Sequence, residues 1–171
     1  MASQVLRLSL LQIWSKHNAK RLSGHFSAIA KFARFHREIR YYIAETQAHE
    51  WIDGHKIGPA FLGYLTEENR VIGSLVEKID GQHATVSDLP ACETTVRKLH
   101  GLGILHGDLH RHNFLISEKR AFLIDFETAK QFVNREAMQR EVESLESQLL
   151  DEPGIDGEYH DDADIGVPTT K

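Results

Sequence analysis

The sequence predicts an α+β fold in a single domain. Residues 27–78 contain short apolar segments and one helical segment, which indicates a small sheet with one helix. Residues 87–100 and 134–150 carry apolar residues at helical spacing, and a hairpin pattern lies between them. With 171 residues and 41% hydrophobic content, the chain is long enough for one packed core.

The first half is predicted to run strand, helix, strand, strand. Residues 28–31 predict the first strand, and a helix is expected at about 36–51. Apolar segments at 57–65 and 71–77 predict the two strands that follow. Residues 1–26 are compatible with either a strand or a helix.

A helix at about 87–100 opens the second half. Ser87 or Asp88 can cap it, and Pro90 suits the first turn, where a missing N–H costs little. Gly101 is expected to end this helix.

A hairpin and a last helix follow. Residues 114–116 and 121–124 are apolar and flank a polar turn at 117–120, which predicts two paired strands. Residues 134–150 predict the last helix, and the acidic segment 151–171 is expected to be disordered.

Charge and cysteine content exclude some classes of protein. Residues 1–37 hold seven Lys or Arg and no acidic residue, whereas residues 38–171 hold 13 basic and 25 acidic residues. The overall charge of −5 argues against a nucleic-acid partner, which would require clustered cations. Cys92 is the single cysteine, so no internal disulfide can form, which fits a reducing compartment. No apolar run is long enough to predict a membrane span.

The most specific motif is HGDLHRHN at residues 106–113, followed by DFE at 125–127. It contains Asp108 and Asn113 five residues apart, and the hairpin can bring Asn113 beside Asp125. These residues resemble the catalytic and metal-binding loops of the protein-kinase-like superfamily, whose pattern is H-R-D-x-x-x-x-N followed by D-F-G.

The resemblance extends upstream of this motif. The run LHGLGILHGD at 99–108 is similar to aminoglycoside and choline phosphotransferases and to short fungal kinase-like proteins. It implies a minimal protein-kinase-like fold, with a small N-lobe sheet and one helix plus a shortened, mainly helical C-lobe. The N-lobe would span about 27–78, the hinge about 77–81 and the C-lobe about 82–150.

The resemblance implies roles for four residues around the hairpin. Asp108 would be the base that orients the attacking hydroxyl, and Asn113 and Asp125 would hold Mg²⁺ on ATP. His110 would either contact the transferring phosphate or support the loop.

It also implies a nucleotide site in the first half. Lys31 would contact the ATP phosphates, and Glu45, fourteen residues later, would pair with it. Glu38 is the alternative partner, because it lies seven residues before Glu45 on the same helix face. Glu77 would begin the hinge on which adenine docks.

The implied activity is an ATP- and Mg²⁺-dependent phosphotransferase that acts on a hydroxyl acceptor. A small molecule is favoured over protein Ser or Thr, because His110 matches the small-molecule branch and no Ala-Pro-Glu motif follows. The location would be cytoplasmic. An acid-free, basic N-terminus also resembles a mitochondrial presequence, and the alternative for residues 1–26 is a remnant N-lobe element.

Departures from the family pattern keep a second hypothesis open. Only Gly24 stands where a Gly-rich loop is expected, Glu127 replaces the Gly of Asp-Phe-Gly, and 41 residues follow Lys130. The alternative is therefore a catalytically inactive pseudokinase or a truncated kinase-like binding module.

A third hypothesis is a metal-dependent hydrolase, built on the side chains His106, Asp108, His110 and His112. In the kinase hypothesis, His106 is instead expected to brace the loop and His112 to lie on the surface.

Overall fold

The computed structural model describes residues 2–8, 26–32, 39–67, 70–131 and 134–150. Three of the features predicted above lie outside the described residues: Gly24, Glu38 and the acidic segment 151–171.

The described elements form an α+β arrangement. In chain order they are β1 (Ala2–Leu8), β2 (Phe26–Phe32), α1 (Ile39–Trp51), β3 (Phe61–Glu67), β4 (Arg70–Glu77), β5 (Gln82–His83), α2 (Leu89–Gly101), β6 (Ile104–Leu105), β7 (Phe114–Ser117), β8 (Arg120–Leu123), β9 (Lys130–Gln131), α3 (Arg135–Glu143) and α4 (Leu145–Leu150). None of these helices combines the length and the apolar character that a membrane crossing requires.

The first sheet is antiparallel, with strand order β1-β2-β4-β3. Successive residues of a strand face opposite sides, and Ala28 and Ala30 of β2 are buried with Leu75 of β4 in one small apolar cluster. Lys31 follows Ala30 in β2 and therefore lies on the other face of the sheet, beside its strand partner Ser74 of β4. Because β1 pairs with β2, residues 2–8 of the N-terminal segment contribute a strand to this sheet.

The third strand begins later than predicted. It spans Phe61–Glu67 instead of residues 57–65, because Ile57 and Gly58 lie against the hairpin rather than against β4. The backbone N–H of Leu123 donates to the carbonyl of Ile57 over 2.8 Å. Pro59 has no N–H to contribute to a strand ladder.

The β7–β8 hairpin forms over the predicted residues. Phe114 pairs with Leu123 at its open end, and a two-residue turn closes the other end. Glu118 and Lys119 occupy that turn with φ of +50° and +61°, the backbone typical of tight antiparallel hairpins.

The larger apolar cluster joins α1, α2, α4 and the hairpin. The stripe predicted on α2 is confirmed, since Cys92, Val96 and Leu99 are fully buried. The cluster also includes Ala48, Ile52, Phe114, Leu123, Phe126, Leu145 and Leu149. Apart from Ala48 and Ile52 of α1, these residues come from the second half of the chain.

The last predicted helix is interrupted. Residues 134–150 form α3 and α4 with a break at Ser144, whose hydroxyl donates to the carbonyl of Glu141 over 3.1 Å. Such local side-chain bonds compete with helix continuation. Leu145 and Leu149 of α4, after the break, pack in the larger cluster.

Gly58→Ala should destabilise the fold. A Cβ at Gly58 would lie 2.6 Å from the carbonyl oxygen of Leu123 and 2.9 Å from the ring of Phe126. Both are fixed in the core, so we expect the free energy of unfolding to fall by about 1–3 kcal/mol. Gly101→Ala is the matched control, because a Cβ there meets no atom within 4 Å. Urea unfolding of both variants checks this, and equal midpoints would contradict it.

Candidate functional site

Lys31 on β2 contacts Glu45 on α1. The Lys31 ammonium donates to Oε1 of Glu45, and the two side chains are 18% and 4% exposed. Burial raises the pKa of Glu45, and the charge of Lys31 opposes this rise. The carboxylates of Asp125 and Glu127 also raise it, so the ion pair lies within the electrostatic field of the 125–127 segment.

The hairpin brings Asn113 next to the residue before Asp125. The backbone N–H of Ile124 donates to the carbonyl of Asn113 over 2.9 Å, which continues the ladder beyond the last strand pair. The buried Asn113 side chain points its Nδ2 at Asp108, 2.8 Å from the carbonyl oxygen and 3.4 Å from Oδ2. Asp108, Asn113 and Asp125 are thereby held around one end of the hairpin.

Asp125 has an unusual backbone and a buried carboxylate oxygen. Its φ is +63°, a left-handed conformation that is uncommon for residues other than glycine and concentrates at functional sites. Its Oδ1 is buried and finds no hydrogen-bond partner among the described residues. Since a buried polar atom without a partner is costly, this oxygen is suited to a cation.

His110 is oriented by its own loop, residues 106–113, which we call the Asp108 loop. Its Nδ1 accepts the backbone N–H of His112 over 3.2 Å, so the neutral ring carries its proton on Nε2. That Nε2 lies 3.7 Å from Oδ2 of Asp108. His112 is half-buried, with its ring 5.0 Å from that of His83.

Phe126 follows Asp125 in the chain and anchors this segment in the core. Its ring is fully buried and lies 5.1 Å from the ring of His106 and 5.6 Å from that of His49. His106 also contacts the carbonyl of Ile124 through Nε2 at 3.2 Å, so it braces the Asp108 loop as expected. Burial lowers the pKa of His106, despite opposing effects that include the charge of Glu141, and favours a neutral ring.

His49 is a contact that the sequence reasoning missed. It lies one helical turn after Glu45, so the (i, i+4) spacing on α1 could have indicated it. Burial, assisted by the charge of Lys31, lowers the pKa of His49 to about 4. It therefore acts as a neutral ring that packs α1 against Phe126.

Thr128 and Glu141 were also missed. The Thr128 hydroxyl donates to the carbonyl of His106 over 2.8 Å, and Glu141 accepts the N–H of Gly107 over 2.7 Å. Thr128 follows the DFE motif by one residue, whereas no spacing rule points to Glu141, which comes from α3.

Glu77 lies at the end of β4, where the hinge was predicted. Its backbone N–H donates to the carbonyl of Ala60, and its carboxylate accepts the N–H of Ala60. The N–H and the carboxylate of Glu77 are thus bound within the protein. The N–H of Lys78 donates to the carbonyl of Ser27 over 3.2 Å. Residues 79–81 lead to β5, and a Cβ on Gly81 would lie 2.7 Å from the carbonyl of Ile116.

The histidine-rich loop does not assemble the metal centre that a hydrolase would require. Within the described ranges, no group of three or more His, Cys, Asp or Glu side chains could hold a metal ion. His106 is directed to a backbone carbonyl instead of toward Asp108 and His110.

Comparison with protein families decides the class of the chain. Residues 64–162, more than half of the chain, match the "Lipopolysaccharide kinase (Kdo/WaaP) family". The chain belongs to this family. As a member of the Kdo/WaaP family it is part of the protein-kinase-like superfamily, which confirms the predicted superfamily and minimal kinase-like α+β fold. The chain matches no individual curated protein.

Membership of the Kdo/WaaP family also gives the general class of activity, a kinase-like phosphotransferase. The matched range contains Asp108, Asn113 and Asp125 but begins after Lys31 and Glu45. The nearer likeness to aminoglycoside and choline phosphotransferases stays a prediction.

Glu45→Ala should weaken the fold more than a neighbouring surface change does. It leaves the Lys31 ammonium without its carboxylate and opens a gap beneath α1. We expect a loss of about 2 kcal/mol, less than a fully buried pair would lose, because Lys31 can partly reach water. Glu50→Ala, exposed on the same helix, should change the unfolding free energy by less than about 0.5 kcal/mol. A similar loss of unfolding free energy in Glu45→Ala and Glu50→Ala would show that the Lys31–Glu45 pair does not stabilise the fold.

Proposed function

We propose that this kinase-family chain transfers the γ-phosphoryl group of ATP to a hydroxyl acceptor, with a divalent metal ion as cofactor. The observation that carries the proposal is the gathering of Asp108, Asn113 and Asp125 at one end of the hairpin. In such reactions the protein aligns the acceptor and stabilises charge, and does little covalent chemistry.

Asp125 and Asn113 are the residues suited to Mg²⁺, a hard cation that prefers oxygen ligands. The buried Oδ1 of Asp125 needs a partner, and the amide of Asn113 uses its nitrogen on Asp108, which leaves its oxygen for a cation. When bound, the metal ion would neutralise phosphate charge.

The nucleotide would be held by Lys31 and by the segment that follows β4. Lys31 is fixed by Glu45 and lies in the field of Asp125, so its ammonium is suited to bind phosphate oxygens beside the metal ligands. Glu77 would open the hinge, with adenine meeting backbone groups of residues 77–81. Since the N–H groups of Glu77 and Lys78 are bound to the carbonyls of Ala60 and Ser27, the donors to adenine would come from residues 79–81 of this hinge.

Asp108 would act as the base. Its side chain is half-exposed, which suits a group that must meet an acceptor hydroxyl and take its proton late in the reaction. The carboxylate is steadied by the Nδ2 of Asn113. The Nε2–H of His110, 3.7 Å away, would donate to the transferring phosphoryl group rather than only support the loop.

A small-molecule hydroxyl is the favoured acceptor. The family is named for kinases of lipopolysaccharide, a glycolipid, and we extend only the chemistry to this chain: a hydroxyl on a carbohydrate. Protein Ser or Thr is the less favoured acceptor.

A nucleotide-binding pseudokinase is the second candidate. Glu127 stands where the superfamily has glycine, and its charge adds to the negative field at Glu45. Negative charge near bound phosphates opposes transfer, so binding without turnover is the outcome this residue favours.

Asp125→Ala should abolish Mg²⁺-dependent ATP binding, because it removes the anionic metal ligand. Calorimetry of ATP with and without Mg²⁺ checks this, and Asp53→Ala, an exposed residue after α1, is the control. Unchanged affinity in Asp125→Ala would refute the metal assignment. Absence of Mg²⁺-dependent ATP binding in the parent protein would refute the proposed function.

Asp108→Asn should spare ATP binding but lower turnover by about 10²–10⁴-fold, the range expected for loss of a general base. The measurement is ADP release with a panel of sugar acceptors, beside calorimetric ATP affinity. Asp53→Asn serves as the control. Retained turnover in Asp108→Asn would mean that another group is the base, and ATP binding without turnover in the parent protein would favour the pseudokinase.

A further inference from the structure

A polar cavity of about 680 Å³ lies beyond the predicted hinge, between β5 and the start of α2. Its size falls within the ~300–1,000 Å³ that small-molecule sites usually occupy. Strand β5 pairs with β7, which places Gln82 opposite Ile116, and both residues line the cavity. Gly81 allows this close approach, because a Cβ there would lie 2.7 Å from the carbonyl oxygen of Ile116. One wall of the cavity is thus built from two paired strands.

A second wall is the hydrogen-bonded turn that precedes α2. The carboxylate of Asp88 accepts the backbone N–H of Thr85 over 2.9 Å and the Thr85 hydroxyl over 2.8 Å. The Thr85 hydroxyl also lies 2.7 Å from the hydroxyl of Ser87. All three residues line the cavity. The polar groups of this wall are therefore already in place before a ligand arrives, which lowers the entropic cost of binding.

The lining of the cavity suits a ligand that is rich in hydroxyl groups. Apart from Ile116, the described residues that line it are polar or glycine. Amides and hydroxyls donate and accept hydrogen bonds, and carboxylates accept them, so this surface can bind a polyol from several sides. An apolar ligand would leave the same groups without partners. Carbohydrate is the class of ligand that fits these properties.

The charge of the lining disfavours anionic ligands. Asp80, Asp88 and Glu118 contribute carboxylates, and the described lining residues include no lysine or arginine. Lys78, which does not line the cavity, forms an ion pair with Asp80 and offsets one of these charges. The other two carboxylates would repel a phosphate or carboxylate group on a ligand.

Three imidazole rings, which we call the histidine row, connect the cavity to Asp108. His83 lines the cavity, and its exposed ring lies 5.0 Å from the ring of His112. The ring of His112 lies 5.9 Å from that of His110, whose Nε2 is 3.7 Å from Oδ2 of Asp108. Imidazole nitrogens can hydrogen-bond hydroxyl groups as donor or acceptor. A ligand in the cavity can therefore extend along the histidine row to the proposed base.

We propose that this cavity, joined to Asp108 by the histidine row, binds the sugar rings of an oligosaccharide acceptor that are remote from the hydroxyl to be phosphorylated. Those rings carry no negative charge. The proposal rests on the proposed function, in which Asp108 is the base for a carbohydrate hydroxyl. A single sugar ring at Asp108 does not enter the cavity, so the cavity adds affinity only for longer acceptors.

The competing explanation is that the cavity extends the nucleotide site, because it follows the hinge at residues 77–81. Backbone amide shifts measured by NMR in the full chain separate the two explanations. A trisaccharide added without ATP should shift the amides of Thr85, Ser87 and Ser117, which line the cavity outside the hinge. ATP added without a trisaccharide should leave these three amides unchanged.

The test uses trisaccharides of glucose, galactose and mannose, each beside the uronate in which carboxylates replace the hydroxymethyl groups. We expect at least one neutral trisaccharide to bind, and its uronate to bind at least about tenfold more weakly. ADP release then gives the KM of that trisaccharide and of its monosaccharide. The trisaccharide should have a KM at least about tenfold lower, because the remote rings contribute binding energy.

Two variants with matched controls locate the bound rings. Gln82→Trp fills the cavity, and Gln47→Trp places the same side chain on the exposed face of α1. Gln82→Trp should weaken trisaccharide binding by about tenfold and remove the difference in KM, because hydrogen bonds in the cavity are lost. His83→Ala should also weaken trisaccharide binding, whereas His55→Ala, at an exposed histidine after α1, should not.

Several outcomes would overturn the proposal. They are failure of every trisaccharide to bind, tighter binding of the uronates, and unchanged binding in Gln82→Trp. Equal KM values for the trisaccharide and its monosaccharide would separate the cavity from the acceptor site. Shifts of Thr85, Ser87 and Ser117 with ATP alone would assign the cavity to the nucleotide. If the parent protein binds ATP without turnover, the proposed function fails separately, and trisaccharide binding without ATP still decides whether the cavity binds carbohydrate.

Discussion

The pairing register of β7 with β8 determines the geometry of the site, because it decides which residues emerge together at the open end of the hairpin. Phe114 faces Leu123, and the next bond outward joins Asn113 to Ile124, so Asp125 follows directly. A slip of one residue would turn both buried side chains toward water, at a cost of about 1.5–3 kcal/mol each. The apolar core thus enforces the placement of the polar groups.

Three uncharged rings, those of Phe126, His49 and His106, pack together next to Asp125. Phe126 is enclosed by His49 from α1 and His106 from the Asp108 loop, and burial keeps both imidazoles uncharged. Beyond the effect of burial, the pKa of Glu45 is lowered by the charge of Lys31 and raised by the charges of Asp125 and Glu127. Glu45 and Asp125 alone contribute two carboxylates beside the one ammonium of Lys31. Such a site attracts a cation, and it disfavours a polyphosphate that arrives without one.

Local patterns predicted the parts of the fold that depend on local chemistry. The hairpin and the apolar stripe of α2 follow from periodicity and turn residues, whereas the Lys31–Glu45 contact was implied by the resemblance to kinases. The late start of β3 was missed because a tertiary contact with the hairpin decides it. The break at Ser144 was missed although a local bond of its side chain accompanies it. Residues 57–60 contain strand-like apolar residues, yet the carbonyl of Ile57 accepts its hydrogen bond from Leu123 of the hairpin.

The same division applies to the candidate site. The Asp108 loop has a recognisable spacing, so its polar residues could be selected from the sequence. Glu141 could not, because its partners are backbone N–H groups 34 and 35 residues away, and backbone donors leave no trace in a sequence. His49 is an intermediate case, since its position on α1 is readable but its burial against Phe126 is not.

The packing of α1 has a mechanical consequence. Ala48 and Ile52 are buried in the larger cluster, whereas the sheet that carries Lys31 has a small cluster of its own. The Lys31–Glu45 pair therefore adds an electrostatic contact between two separately packed clusters, beside the ring contact of His49 with Phe61 of β3. Salt screens a largely buried ion pair much less than an exposed one. The attachment of α1 to the sheet should thus persist at ionic strengths that weaken ion pairs on the surface.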